Sequence, residues 1–257
     1  MQDLFSLQGR VALVTGGARG IGAMIARAYL QCGVKVYISS RNQDELANFT
    51  NAVASLGECV AIRADLSSLE GIEFLVDEIG KRESGLDILV NNAGATWGAE
   101  FSVYPEAGWD KVVDLNLKSP FFLTQRLLGL LKTAAKAETP SRVINIASVN
   151  GLVNPGVDNY AYSASKAGLI HLTRHLAVDL APANINVNAI APGFFHTKMT
   201  AYAVEQDAGS IMAMVPRGRL GNQDDMAGAA IFLASRASSW ITGHTLALDG
   251  GLVAAAG

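Results

Sequence analysis

The sequence predicts an α/β fold, a doubly wound parallel sheet in a single domain spanning residues 1–257. Three observations carry this reading. Short apolar runs of strand length alternate with amphipathic stretches along most of the chain. A glycine-rich turn follows the first run and opens a helix. Apolar residues make up 50% of the chain and charged residues 17%, a balance that favours one compact core with much buried sheet over a disordered chain.

The elements follow in order. Residues 11–14 form a continuous apolar run, the mark of a strand buried on both faces. Residues 21–30 give a helical pattern closed by Gly33. "VKVYISSRN" is the second strand, residues 43–56 the second helix and "CVAIRADLS" the third strand. Residues 68–81 are helical, and "LDILVNNAG" is the fourth strand. Residues 106–135 read as largely helical with a break at Pro120. "SRVINIASV" is strand five, 162–180 a long helix, "INVNAIAPG" strand six, 223–234 a helix and "HTLALDGG" the last strand. Residues 194–218 break the rhythm and are read as a substrate lid over a cleft.

Composition also excludes partners. The net charge of −3 and scattered basic residues offer no stripe for a phosphate backbone, so nucleic acid is not expected. No stretch reaches about 18 uninterrupted apolar residues, so no membrane span is expected. The start "MQDLFSLQGR" lacks a signal-peptide pattern. Cys32 and Cys59, the only cysteines, sit in apolar stretches and suit a reducing, cytoplasmic setting.

The turn "TGGARGIG" places Gly16, Gly20 and Gly22 where a chain must turn sharply, approach a pyrophosphate and pack a helix on a strand. The helix start then offers free N–H groups to negative oxygens. No Gly-Lys-Ser/Thr follows, so this is not a triphosphate loop. Strand two ends in Ser40 and Arg41 where a carboxylate would guard an NAD ribose. Arg41, with Arg19 in the glycine turn, suits a 2′-phosphate and hence NADP(H). The alternative is that both arginines are plain surface residues. Asp65 is placed to accept from an adenine amine or to cap the next turn.

Within "NYAYSASK", Tyr162 and Lys166 are four apart and share a helical face, whereas Tyr160 and Lys166, six apart, do not. A tyrosine of pKa about 10 exchanges protons at neutral pH only if its phenolate is stabilised, as a nearby cation does. Tyr160 is read as part of the preceding loop, lining the substrate mouth. Ser148 falls at the carboxyl end of strand five, the edge where open parallel sheets bind ligands. No nucleophile elbow surrounds it, so its hydroxyl is read as holding a substrate oxygen. Asn91 ends strand four on the same edge, where Gly94 permits close approach of a cofactor. Asn116 is a mid-helix asparagine, which either anchors a water near Lys166 or satisfies a local carbonyl. His171 and His175 share a helical face without metal-site spacing, so no metal is expected.

"TGGARGIG", "NNAG", Asn116, Ser148, "YSASK" and "PGFFHT", in this order, resemble the short-chain dehydrogenase/reductases over essentially the whole chain. The resemblance implies a seven-stranded Rossmann-like sheet and a homotetramer. It also implies a catalytic set in which Tyr162 is the acid/base, Lys166 lowers its pKa, Ser148 orients the carbonyl and Asn116 completes a proton relay. Cofactor contacts are implied for Gly16, Arg19, Gly20, Ile21 and Gly22 at the pyrophosphate, and for Ser40, Arg41, Asn42, Asp65 and Leu66 at the adenosine end. Asn92, Ala93 and Gly94 are implied along the cofactor, Pro192, Gly193, Phe195 and Thr197 in a loop facing the nicotinamide, and Tyr162 and Lys166 as cofactor contacts, Lys166 at the nicotinamide ribose. Phe195 departs from the smaller aliphatic residue more usual there.

"NAGATWGAEFSVYPEAGWDKV", "SRVINIASVNGL" and "MVPRGRLG" look like the β-ketoacyl reductases linked to rhamnolipid synthesis. That resemblance implies NADPH-dependent reduction of a 3-oxoacyl thioester on CoA or a carrier protein; the alternative is another ketone, alcohol, sugar or polyol. Trp97, Tyr104, Trp109, Phe194, Met199, Met212 and Met214 are either pocket-shaping or core residues. Arg217 and Arg219 either attract an acidic carrier or solvate the lid.

Overall fold

The computed structural model describes residues 4–154, 156–197, 209 and 212–256. Seven parallel strands form one sheet in the order β3-β2-β1-β4-β5-β6-β7. They are β1 Val11–Thr15, β2 Lys35–Ser40, β3 Cys59–Arg63, β4 Ile88–Asn91, β5 Ser141–Ile146, β6 Ile185–Pro192 and β7 Thr245–Leu248. The first half of the chain winds outward from β1, and β4 then returns to β1's other side. That reversal opens a crevice between the carboxyl ends of β1 and β4.

The strands alternate their side chains between two apolar layers. Ala12, Val14, Val36, Ile38, Val90, Ile144 and Ile190 face α1 (Gly20–Gln31), α2 (Gln43–Val53) and later α8 (Gln223–Ala234). Leu13, Tyr37, Leu89, Val143 and Val187 face α3 (Leu69–Gly80), α5 (Ser119–Arg126), α6 (Leu128–Ala134) and α7 (Tyr160–Leu180). Burial on both faces is why the central strands read as unbroken apolar runs.

Three boundaries differ from expectation. Helix α2 ends at Val53 rather than at 56. The break assigned to Pro120 is absent. Instead α4 (Glu106–Val113) runs into a π-helical turn, Asp114–Lys118, and α5 follows with Pro120 in its first turn, where a missing N–H costs little. Helix α7 starts at Tyr160, two residues early, so Tyr160 is helical and not part of the preceding loop. Of the region read as a lid, residues 198–208, 210 and 211 lie outside the described residues, Met199 among them. Its flanks are held: Phe195 bridges to Gly221, and the Arg217 N–H donates to the Gly250 carbonyl at 3.1 Å. A short helix, α9 (Leu252–Ala255), closes the described chain.

Candidate active site

The glycine turn is built as a cradle. Gly16 and Gly20 have φ of +62° and +53°, the left-handed region that favours glycine. A Cβ on Gly16 would stand 3.0 Å from Asn92 Nδ2, and one on Gly22 would collide with the same atom and with the Gly16 carbonyl. Asn92 earns this proximity by donating to the carbonyls of Thr15 (2.8 Å) and Gly16 (3.2 Å). Thr15 Oγ1 in turn accepts from the N–H groups of Asn92 and Ala93, each at 2.9 Å. This threonine latch was not singled out from the sequence; its signal was a hydroxyl directly before the glycines. Arg19 occupies the N-cap of α1 without a side-chain capping bond, and the first turn carries no acid. Uncapped N–H groups and a glycine surface suit a pyrophosphate, so the residues present fit a dinucleotide. Ile21 packs partly against the core beside them. Thr197 faces the same turn, its methyl 3.5 Å from where a Gly20 Cβ would lie.

At the end of β2, Ser40 Oγ accepts from the Asn42 N–H at 3.2 Å. Asn42 caps α2, its Oδ1 accepting from Asp44 (2.9 Å) and Glu45 (3.1 Å). Arg41 is exposed and lies 3.6 Å from Asp65 Oδ2; Arg19 Nη1 lies 3.5 Å from Glu45 Oε1. Burial pushes the Asp65 carboxyl up, but bonds from Ser67 and the charge of Arg41 hold it below the usual range. The side chain of Leu66 is spent on the core, so a ligand contact there falls to its backbone. Phe195 is likewise buried, its ring filling the space a side chain on Gly221 would need. Pro192 ends β6, and the Gly193 N–H donates to Leu248 at 3.0 Å.

The catalytic candidates converge at the carboxyl ends of β4 and β5. Ser148 sits just beyond β5, accepting from the Asn150 N–H at 3.2 Å, and its hydroxyl favours the Tyr162 phenolate. Lys166 is buried, donates to the Ile146 carbonyl at 2.7 Å, and lies 5.7 Å from the centre of the Tyr162 ring. Burial pulls its ammonium down to about 8. Burial also raises the Tyr162 phenol above its usual value, with the Ser148 bond opposing. Desolvation outweighs the Ser148 contact. Gly94 closes the floor, since a Cβ there would stand 3.2 Å from Asn116 Oδ1 and 3.7 Å from Lys166 Nζ.

Asn116 lies in the π turn and is fully buried. Its Oδ1 accepts from the Ala95 N–H (2.8 Å), and its Nδ2 donates to the Ala95 carbonyl (2.9 Å) and to Ser165 Oγ (3.1 Å). Its side chain therefore ties the end of β4 to α7, and Pro120 cannot supply an α-helical donor to its carbonyl. Asn91 Nδ2 bonds Asn145 Oδ1 at 2.8 Å across β4 and β5, as expected of a strand tie.

Other candidates separate. Tyr160 donates to Asp158 (2.9 Å) and meets Phe101 and Tyr104 edge-on, so it belongs to an aromatic rim beyond β4. Trp97 packs over Gly108 with Lys111 Nζ 5.2 Å from its ring. Arg219 is engaged by Asp225 at 2.6 and 2.9 Å, which holds that carboxyl down to about 2. A cavity of about 560 Å³ lies between Trp109, the 150–157 segment and α7. It borders Tyr160, Ser163, Ala164 and Ala167, the helix face turned away from Tyr162 and Lys166.

The chain belongs to the short-chain dehydrogenase/reductase family, as an NADP-dependent oxidoreductase, and a glycine cradle beside a Ser-Tyr-Lys cluster is its candidate site. Residues 16–253 match the family model described as enoyl-(acyl carrier protein) reductase. The chain is 47% identical to the rhamnolipids biosynthesis 3-oxoacyl-[acyl-carrier-protein] reductase of Pseudomonas aeruginosa, covering 98% of this chain and 99% of that one. It is 38% identical to the 2-dehydro-3-deoxy-D-gluconate 5-dehydrogenase of Escherichia coli, covering 97% and 98%. Among solved structures it resembles the Pseudomonas aeruginosa RhlG/NADP active-site complex, with TM-score 0.95, 46% identity, and 98% and 100% of the two chains covered.

Proposed function

We propose that the chain reduces 3-oxoacyl thioesters, on CoA or a carrier protein, to 3-hydroxyacyl products with NADPH. The observation that carries the reductive chemistry is the Ser148–Tyr162–Lys166 cluster under Gly94. The glycine turn with Arg19 and Arg41 would hold NADPH, which would supply the hydride for a carbonyl carbon. Ser148 and Tyr162 then donate to the oxygen as negative charge grows on it, and the Tyr162 hydroxyl delivers the proton. The Lys166 ammonium stabilises the remaining phenolate. Asn116 holds the β4 end and α7 at the spacing this requires. Arg41 and Arg19 supply the charge for a 2′-phosphate, and the NADP named with the Pseudomonas aeruginosa structure agrees.

The thioester reading is supported by the name of the 47% identical relative and by the apolar rim of Phe101, Val103, Tyr104 and Tyr160. We assign residues 194–218 as a substrate lid, anchored through Phe195 and Arg217. A second reading, a sugar-acid dehydrogenase, has support in the Escherichia coli relative and in the Burkholderia cenocepacia gluconate 5-dehydrogenase structure, 32% identical. A substrate panel separates them. Turnover of a short 3-oxoacyl thioester with NADPH, at least tenfold above that with NADH or with sugar acids, supports the first; sugar-acid turnover alone selects the second.

We also assign a homotetramer in the cytoplasm. Trp240 is fully exposed in the segment that leads into the edge strand β7, and Trp109, Leu152 and Val157 are exposed around the α7 cavity, giving two apolar surfaces for self-association. The free thiols of Cys32 and Cys59 suit a reducing compartment. No helix among the described residues is long and apolar enough to cross a membrane.

A further inference from the structure

We infer that Glu45 sets how tightly the chain holds a 2′-phosphate, by competing with it for Arg19. The inference rests on the NADP(H) reading of Arg19 and Arg41. Both guanidiniums are already engaged: Arg19 with Glu45 at 3.5 Å and Arg41 with Asp65 at 3.6 Å. The two pairs are not equivalent. Asp65 is itself expected at the adenine, so its removal would change more than one contact. No cofactor contact is assigned to Glu45, and its carboxylate is the more enclosed partner, 21% exposed against 59% for Arg19.

Glu45 is also held in place. Its N–H donates to the capping Asn42 Oδ1 at 3.1 Å, and Asp44 stands beside it in the same first turn. A phosphate arriving here must draw Arg19 from Glu45 and accept a fixed negative charge nearby. The carboxylate therefore weakens the 2′-phosphate contact selectively, because any demand of the 5′-phosphate on Arg19 is common to ligands with and without that group. Exposed ion pairs at such distances are weak and screened by salt, which bounds the effect at about two- to fivefold. The functional consequence is a site that prefers the phosphorylated cofactor yet releases it readily.

The test is calorimetric titration of the full chain with 2′,5′-ADP and with 5′-AMP, which differ in the 2′-phosphate alone. It compares wild type, Glu45→Gln, Arg19→Ala and the double variant. The expected result is that Glu45→Gln tightens 2′,5′-ADP by about two- to fivefold, leaves 5′-AMP unchanged, and loses its effect in the Arg19→Ala background. Glu45→Ala should shift affinity in the same direction, a check against a special effect of glutamine. Weaker 2′,5′-ADP binding in Glu45→Gln would overturn the inference and make Glu45 an orienting partner of Arg19. An unchanged affinity, an equal shift for both ligands, or an effect that persists without Arg19 would overturn it as well. Wild type binding the two ligands equally would instead strike the NADP(H) reading beneath it.

Discussion

Lys166 holds a cation where water hardly reaches. Its ammonium has one backbone acceptor, at 2.7 Å, and burial pulls its pKa down to about 8 from the usual value of about 10.4. Below pH 8 both folded and unfolded chains keep the proton, and the fold bears the burial cost. Between about 8 and 10.4 the unfolded chain holds a proton that the fold has released, so this residue's contribution to stability rises with pH. Lys166→Met should therefore abolish turnover yet melt no lower than wild type at pH 7, gaining about 1–2 kcal/mol that fades above pH 8. Thermal melts across pH check this. Turnover should follow the opposite course, with the reductive rate of wild type falling as pH rises through about 8. The pairing of Tyr162 with Lys166 was legible as a four-residue spacing. The direction of the tyrosine's shift was not, because it depends on burial and on the neighbouring Ser148.

The strand-glycine-helix element shows what sequence pattern can carry. Its alternation and glycine spacing located the crevice, because a turn of this shape excludes side chains wherever it occurs. What the pattern lacked was Thr15 and Asn92, whose bonds cross from β1 to the end of β4, 77 residues away in sequence. Gly22→Ala should force these apart, costing about 1–3 kcal/mol and weakening dinucleotide binding at least tenfold. A melt and a titration on the same sample check both parts. The π turn was illegible for a related reason. Pro120 signals a helix break, yet it fits the first turn of α5, and the irregularity falls before it, where Asn116 is needed. Similarly, Tyr160 entered α7 because nothing in "NYAY" marks which residue starts the helix.

At the scale of the whole molecule, the parallel sheet places every candidate catalytic group at the carboxyl ends of β4 and β5, and the phosphate-facing groups at β1 and β2. The opposite question, what covers the outer surfaces, was poorly legible. Trp240 carries no period or motif in the sequence, and only its full exposure marks it. If the proposed tetramer uses this surface, Trp240→Glu should lower the assembly from four chains to two or one while leaving the fold intact, read by light scattering and circular dichroism. The central claim is proton delivery by Tyr162 in an NADPH-dependent reduction. Its most direct test follows nicotinamide oxidation with a short 3-oxoacyl thioester in wild type and Tyr162→Phe, after showing that both bind NADPH equally. The account predicts a rate at least about a hundredfold lower in the variant. Turnover within a few fold of wild type would contradict it.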